Sequence, residues 1–247
     1  MNIRQVLSIL AVIIFFLSIA AAQGTKQPLA SSKQIVVVIT DSWEVVDGVL
    51  QYYERQTLSA KWKAVSPKVS IVVGKTGLAW GVGLHGAALG KVPVKREGDG
   101  KSPAGVFGLS AVFGSTPANS AKFLKMPYIF VDSTDVCVDD VNSQYYNRIL
   151  SKRDVKQDWK SAENMLDEAY KWGVVVDHNA SARKASDGSC IFLHIWNGPS
   201  RGTAGCTALN GQKLVNLLRW LDPAAHPVLV QLTKVEYQRL SKEWGLP

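Results

Sequence analysis

The chain has 247 residues with 28 Lys or Arg against 20 Asp or Glu, which gives a formal charge of +8 at pH 7. The basic residues are scattered with no run of five, so the sequence argues against a nucleic-acid partner. A basic surface suits an anionic polymer such as a cell wall, and a generally solvated surface explains it equally well. Without the N-terminal segment described next, about 225 residues remain, which is enough for one well-buried domain or two small ones.

The N-terminal segment has the pattern of a secretory signal peptide. Arg4 supplies a positive charge, residues 6–20 form an uncharged apolar run, and residues 20–22 are alanines that fit a cleavage site before Gln23. The run is short for a membrane-spanning helix, so an uncleaved anchor is the less favoured alternative. We therefore expect a periplasmic or otherwise exported protein that has no membrane attachment after cleavage. The predicted segments are a signal peptide over residues 1–22, a short linker over 23–33 and one domain over 34–247.

Apolar patterning predicts a β-rich, mixed α+β domain. Short β-branched runs beside turn residues predict strands at residues 34–40, 49–55, 69–73, 174–176, 191–195 and 228–232. Residues 74–127 are rich in glycine and proline and have no helical period, which predicts loops and short strands. Because the strands do not alternate regularly with helices, a doubly wound sheet is disfavoured.

Three helices are predicted beside these strands. Residues 161–172 place apolar side chains at the i, i+3, i+4, i+7 and i+8 positions of one helical face. Residues 210–221 begin with an asparagine that can cap a helix and carry leucines at helical spacing. Residues 233–245 begin with a Thr-x-x-Glu capping box and end at a glycine.

Three cysteines in an exported chain leave one over after pairing. The simplest arrangement pairs Cys137 with Cys190 and leaves Cys206 free. Three unpaired thiols, two of them buried as small apolar groups, are the alternative, because connectivity does not follow from sequence.

Cys206 and His194 are a candidate nucleophile and base. Cys206 lies in the run GTAGCTA, where small neighbours would leave the thiol exposed and Gly205 would let backbone N–H groups approach an oxyanion. His194 lies in the apolar run IFLHIW, where packing can fix its ring. His226 is the other candidate base, but it lies in a loop-like Ala-His-Pro context. Together these residues predict a cysteine acyl-transfer enzyme.

Two other chemistries have weaker patterns. Residues 81–86 match G-x-G-x-x-G, but Gly90 and Pro93 oppose the helix that dinucleotide binding needs. Four histidines and Cys206 offer ligands for the zinc of a metallo-amidase, yet neither H-E-x-x-H nor C-x-x-C occurs. Acyl transfer by Cys206 requires no metal and no organic cofactor.

The chain resembles the L,D-transpeptidases with a YkuD-type catalytic domain. His194, a glycine-bearing loop and residues 203–207 (TAGCT) are similar to the catalytic segment of that family, in which a histidine and a spacer precede Ser/Thr-His-Gly-Cys. Residues 97–107 (EGDGKSPAGVF) are similar to its upstream GDGKTPAG signature. Ala204 stands where the family usually has histidine and Ala208 where it often has Arg or Asn, which indicates a divergent branch.

The resemblance implies a β-sandwich with about three flanking helices and a peptidoglycan stem tetrapeptide as substrate. Cys206 would form a thioester and release the terminal D-alanine, while His194 would act as base and its imidazolium would lower the pKa of the thiol. Backbone N–H groups of Gly205, Cys206 and Thr207 would hold the oxyanion. An amine acceptor gives a 3→3 cross-link, whereas water gives an L,D-carboxypeptidase. A non-catalytic cell-wall-binding module is the alternative from another class, and the oligomeric state is open.

Five further residues are candidates for substrate contacts. Arg201 and Lys101 suit substrate carboxylates, and Trp196 can line the cleft. Thr203 lies in the nucleophile segment, and His178 follows a strand from which it can orient His194 or the donor peptide. An ordinary surface or structural role is the alternative for these residues.

Overall fold

The structure is a computed structural model that describes residues 27–88 and 90–247. The predicted signal peptide and residues 23–26 of the predicted linker lie outside the described residues. The strands within the described part are β1 (Gln34–Thr40), β2 (Asp47–Glu54), β3 (Lys63–Ala64), β4 (Val69–Val72), β5 (Leu78–Trp80), β6 (Ser102–Gly114), β7 (Tyr128–Phe130), β8 (Asp135–Val138), β9 (Ile149–Ser151), β10 (Ala162–Asn164), β11 (Gly173–Val176), β12 (Phe192–Ile195), β13 (Thr207–Leu209) and β14 (Val228–Thr233). The α-helices are α1 (Gly211–Trp220) and α2 (Lys234–Trp244).

Strand β1 closes the main sheet on itself. It pairs in parallel with β14 and antiparallel with β2, so the order β1-β14-β6-β11-β12-β13-β4-β2 returns to β1. The run IVVV in β1 is buried on both faces, as expected for a strand with partners on both sides and cover on both faces. The result is a closed eight-stranded barrel. The β-sandwich that the resemblance implied is therefore wrong, although the prediction of a β-rich domain is confirmed.

Two of the three predicted helices are present among the described residues. Asn210 caps α1 by accepting hydrogen bonds from two backbone N–H groups, and Thr233 caps α2 by accepting one from Glu236. Gly245 ends α2 in the left-handed conformation.

The helix predicted over residues 161–172 is wrong. Strand β10 pairs with β8 there, and a single 3-10 turn (Glu168–Tyr170) follows, capped by Asp167. Met165 is fully buried but Leu166 is 46% exposed, so the apolar spacing does not form one buried face. Pairing with β8, which lies far away in sequence, overrides the local helical pattern.

The longest strand, β6, lies where only loops and short strands were expected, so that expectation is wrong for this part of residues 74–127. A Cβ at Gly105 would lie 1.9 Å from the His85 ring, and one at Gly108 would lie 2.5 Å from the Asp177 carboxylate. The absence of a side chain at these glycines lets the His85 ring and the Asp177 carboxylate pack closely against β6, and the strand continues through both positions. β6 can therefore pair with β14 and β11 in the barrel.

A small antiparallel sheet, in the order β10-β8-β9, is joined to the barrel by a disulfide. Cys137 in β8 is bonded to Cys190, which lies just before β12, and Cys206 is a free thiol. The pairing expected from the cysteine count is confirmed.

The first described residues pack against the barrel. Leu29 belongs to the main hydrophobic core, and the Arg55 guanidinium donates hydrogen bonds to the carbonyls of Leu29 and Ser32. No helix within residues 27–88 and 90–247 has the length and apolar character to cross a membrane.

The double variant Cys137→Ala/Cys190→Ala should unfold at lower urea concentration than the parent. The disulfide closes a loop with a sequence separation of 53 residues, so its removal should cost about 2–4 kcal/mol of unfolding free energy. The single variant Cys206→Ala serves as the control, because it removes a buried thiol and leaves the disulfide intact. An unchanged midpoint in the double variant would contradict a stabilising role for the disulfide.

Candidate active site

Parallel pairing of β12 with β13 brings His194 and Cys206 to one place. His194 lies opposite Ala208, and Cys206 immediately precedes β13. The Phe192 N–H donates a hydrogen bond to the Cys206 Sγ at 3.3 Å. Residues two apart on a strand share a face, so the thiol and the imidazole lie on the same face of neighbouring strands. The Tyr170 ring lies against His194, as described below.

The His194 ring is fixed in one tautomer. Its Nδ1 lies 2.7 Å from the Ile195 carbonyl, which can only accept, so Nδ1 carries the proton and Nε2 has a free lone pair. Burial lowers the pKa of His194, while the Ile195 carbonyl and the Asp167 charge act in the opposite direction. The ring is therefore a neutral base at neutral pH.

The Cys206 thiol is 5% exposed, so the expectation of an exposed nucleophile is wrong for this structure. It lies in an apolar cluster with Phe113, Phe192 and the disulfide, 3.4 Å from the Cys190 carbonyl. Burial raises the pKa of the thiol, and the Glu163 charge raises it further. The expected thiolate–imidazolium pair is thus disfavoured here, and both the thiol and the imidazole are neutral.

Two hydroxyl groups hold the backbone of the nucleophile. Thr203 Oγ1 and Ser102 Oγ donate to the Cys206 carbonyl at 2.5 and 2.7 Å. The Gly74 N–H donates in turn to Ser102 Oγ, and the Gly205 N–H donates to Thr203 Oγ1 at 3.1 Å. Thr203 therefore positions Cys206, and Gly205 must exchange its partner before it can serve an oxyanion.

The Thr207 side chain forms a hydrogen bond in the barrel interior. Its hydroxyl donates to Gln231 Oε1 at 2.6 Å, and Gln231 Nε2 donates to the Pro103 carbonyl at 2.8 Å. Both side chains are buried. Only the backbone of Thr207 is left for the oxyanion role that the resemblance implies.

A cleft of about 600 Å³ opens beside the pair. Its lining includes His194 and three of the predicted substrate contacts, Trp196, Arg201 and Thr203. Ala204 and Ala208 also line it. Asp167 adds negative charge to the lining and Arg201 adds positive charge, while Glu163 adds a carboxyl group whose pKa is raised by burial to about 7.

The other two predicted substrate contacts are not in this cleft. His178 is buried: its Nδ1 accepts from the Val82 N–H, and its Nε2–H donates to the Asp187 carbonyl at 2.8 Å. Burial lowers the pKa of His178 to about 4, so it is a neutral structural group. The Lys101 Nζ donates to the Thr76 carbonyl at 2.5 Å.

The alternatives weighed for base and metal find no support in the described residues. His226 is exposed at the end of a 3-10 turn before β14 and lines a different pocket from His194. No group of three or more His, Cys, Asp or Glu within the described part of the chain is arranged to hold a metal ion.

Tyr170 and Glu163 are site residues that sequence reasoning missed. The Tyr170 ring packs edge-on against His194 with centroids 5.2 Å apart, and its hydroxyl donates to Glu163 Oε2 at 2.7 Å. Burial raises the pKa of the Tyr170 hydroxyl far above its usual range, and the charges of Cys206 and Glu163 raise it further. Burial raises the pKa of Glu163 to about 7, the Tyr170 hydrogen bond lowers it, and Asp139 and Glu97 add to the increase. No motif identifies either residue, because they lie far from Cys206 in sequence.

No protein-family model, curated protein or solved structure matches the chain. The resemblance to the L,D-transpeptidases therefore stays a prediction based on the two sequence motifs.

Thr207→Val should destabilise the fold, because it removes the donor to Gln231 Oε1 inside the barrel. We expect a loss of about 1–3 kcal/mol in unfolding free energy, measured by urea denaturation. Thr207→Ser keeps the hydroxyl and is the matched control, with stability near that of the parent. Equal stability of the valine and serine variants would show that this hydrogen bond contributes nothing.

Proposed function

We propose that the protein is an exported cysteine acyl-transferase that acts on peptidoglycan stem peptides, with the L,D-transpeptidase reaction as its activity. The observation on which this depends is that the parallel register places Cys206 and a tautomerically fixed His194 on the same face of neighbouring strands, beside a cleft with polar and charged lining residues. Export is supported by the predicted signal peptide, and the two family-like motifs support the substrate class.

The proposed reaction has two halves. In the first, Cys206 Sγ attacks the carbonyl of the bond to the terminal D-alanine, and His194 Nε2 takes up the thiol proton. His194 then passes this proton to the leaving amine, and D-alanine departs as the thioester forms. In the second, an acceptor amine attacks the thioester, and His194 Nε2 takes its proton. The Ile195 carbonyl keeps Nε2 available by holding the proton on Nδ1. Cys206 is then released as a thiol.

The charges in the cleft suit such a substrate. Arg201 can bind the terminal carboxylate of the donor peptide, as guanidinium groups bind carboxylates with paired hydrogen bonds. Glu163 and Asp167 can bind a substrate amine, either on the donor side chain or on the acceptor. Ala204 and Ala208 leave space beside His194 where the similar family has larger polar groups.

Because the Cys206 thiol is covered, the proposed mechanism requires a local movement before the substrate can reach it. Cys206 does not line the cleft, whereas His194, Ala204 and Tyr170 do. The donor carbonyl therefore reaches the thiol only after these covering groups shift, as catalytic contacts often tighten only in the substrate complex. The same observation favours a second candidate function, a non-catalytic module that binds the cell wall through the cleft.

Incubation of the mature protein with a stem tetrapeptide and an amine acceptor should release D-alanine, measured by mass spectrometry. Release should persist in EDTA and fall at least about a thousandfold in Cys206→Ala, because the nucleophile is lost. His194→Gln should lower the rate about a hundredfold or more, whereas the matched variant His226→Gln should behave as the parent.

Each other outcome of this assay has a clear meaning. Release by Cys206→Ala would exclude the thioester route, and loss of release in EDTA would favour a metallo-amidase. A joined peptide product indicates transpeptidation, while a tripeptide product alone indicates a carboxypeptidase. Binding of the tetrapeptide without release, in parent and variants alike, would favour the non-catalytic module.

A further inference from the structure

The Cys206 thiol has a defined hydrogen-bond direction. Its S–H donates to the Cys190 carbonyl over a sulfur-to-oxygen distance of 3.4 Å, and its sulfur accepts from the Phe192 N–H at 3.3 Å. The first of these contacts decides where the thiol proton points. The orientation of the Cys190 backbone therefore controls the resting orientation of the proposed nucleophile.

Cys190 has an unusual backbone conformation. Its φ is +53°, in the left-handed region that residues other than glycine rarely adopt. A residue keeps such a conformation only where the surrounding structure holds it, and residues of this kind cluster at functional sites. The Cys190 side chain is bonded to Cys137 of β8, and the Cys190 N–H donates to Asn147 Oδ1 at 3.0 Å.

Asn147 links the Cys190 backbone to the small sheet. Its φ is +59°, which asparagine tolerates better than most residues, and its N–H donates to the Val138 carbonyl at the end of β8 at 2.8 Å. Its Nδ2 group donates to the carbonyls of His178 and Asn179 at 3.0 and 3.2 Å. The amide plane of Asn147 is thus fixed, and Oδ1 accepts from Cys190 in one position.

The constraints on Cys190 act on different groups around its Cα. Asn147 Oδ1 holds the N–H, and the disulfide holds the side chain. The next residue, Ile191, is held through its carbonyl, which accepts from the Val176 N–H of β11 at 3.0 Å. The direction of the Cys190 carbonyl follows from these three contacts, because they fix the backbone on both sides of it.

We propose that Asn147 is a positioning residue that sets the direction of the Cys206 S–H through the backbone of Cys190. In the proposed reaction the thiol proton leaves the Cys190 carbonyl for His194 Nε2, so this transfer starts from the geometry that Asn147 holds. The inference rests on Cys206 as the nucleophile of the proposed function and is independent of the substrate.

Asn179 provides a matched comparison in the same part of the fold. It also has a positive φ, +50°, and its side chain makes three hydrogen bonds at 2.8 to 3.1 Å, two with the Lys184 backbone and one with the Gly188 carbonyl. Glycine tolerates a positive φ, so Asn147→Gly and Asn179→Gly each remove three side-chain hydrogen bonds without straining the backbone. The two variants differ in the link to Cys190.

The test is the S–H stretching band in the infrared spectrum, taken as the difference between each protein and its Cys206→Ala form. The chain has three cysteines and two of them form the disulfide, so the band belongs to Cys206. In the parent we expect a narrow band at the lowered frequency of a hydrogen-bonded thiol. Asn147→Gly should broaden this band and move it towards the frequency of a free thiol, whereas Asn179→Gly should keep the parent band.

The kinetic consequence concerns the chemical step. Asn147→Gly should lower kcat for D-alanine release about tenfold with KM nearly unchanged, because a misdirected nucleophile impairs the reaction and not substrate binding. Asn179→Gly should keep the kinetic constants of the parent.

Three infrared results would overturn the proposal: a parent band at the frequency of a free thiol, an unchanged band in Asn147→Gly, or equal shifts in the two glycine variants. The first of them requires no variant at Asn147 to fold. The infrared band needs no substrate, so a parent protein that releases no D-alanine would refute the proposed function and leave the infrared test intact.

Discussion

The parallel register between β12 and β13 is the constraint on which the site depends. It places His194 opposite Ala208 and brings the Phe192 N–H to the Cys206 sulfur. Parallel neighbours need a long crossover, and here the connecting segment is held at Thr203, which bridges to Gly74. The next pairing, of β13 with β4, locks this register into the closed barrel.

The burial that holds the Cys206 thiol in place also opposes its ionisation. Phe113, Phe192 and the disulfide surround the Cys206 sulfur, so a thiolate there has little solvation. The same burial that makes the thiol rigid therefore makes it harder to ionise. The Phe192 N–H, the Tyr170 hydroxyl and the Lys95 charge are the groups that oppose the effect of burial on the pKa of the thiol.

The features that could be predicted from the sequence are those determined by residues close together in the chain. The buried run of β1, the asparagine cap of α1 and the capping box of α2 are confirmed because each depends on residues near in sequence. Barrel closure depends on β1 pairing with β14, almost the whole domain away, and no local pattern encodes that register. The segment 161–172 was misassigned for the same reason, since β8 provides its partner.

At the site, too, neighbours in sequence were informative and neighbours in space could not be predicted. Cys206 and His194 could be predicted, because small residues and an apolar strand flank them in sequence. The exposure of Cys206 could not, since its neighbours in space, Phe113 and Phe192, are large although its neighbours in sequence are small. Glu163 lies in β10 of the disulfide-linked small sheet, and Tyr170 lies in the 3-10 turn just before β11, so both are far from Cys206 in sequence.

The upstream motif, residues 97–107, acts as a support for the nucleophile. Asp99 accepts hydrogen bonds from the Arg96 and Lys101 backbone and pairs with the buried Lys95, which fixes the turn. Ser102 then donates to the Cys206 carbonyl. The Lys101 ammonium is occupied by the Thr76 carbonyl and does not reach the cleft. The residues of this motif therefore hold Cys206 in place, whereas the cleft, lined by Ala204 and Ala208, is where we propose that a substrate binds.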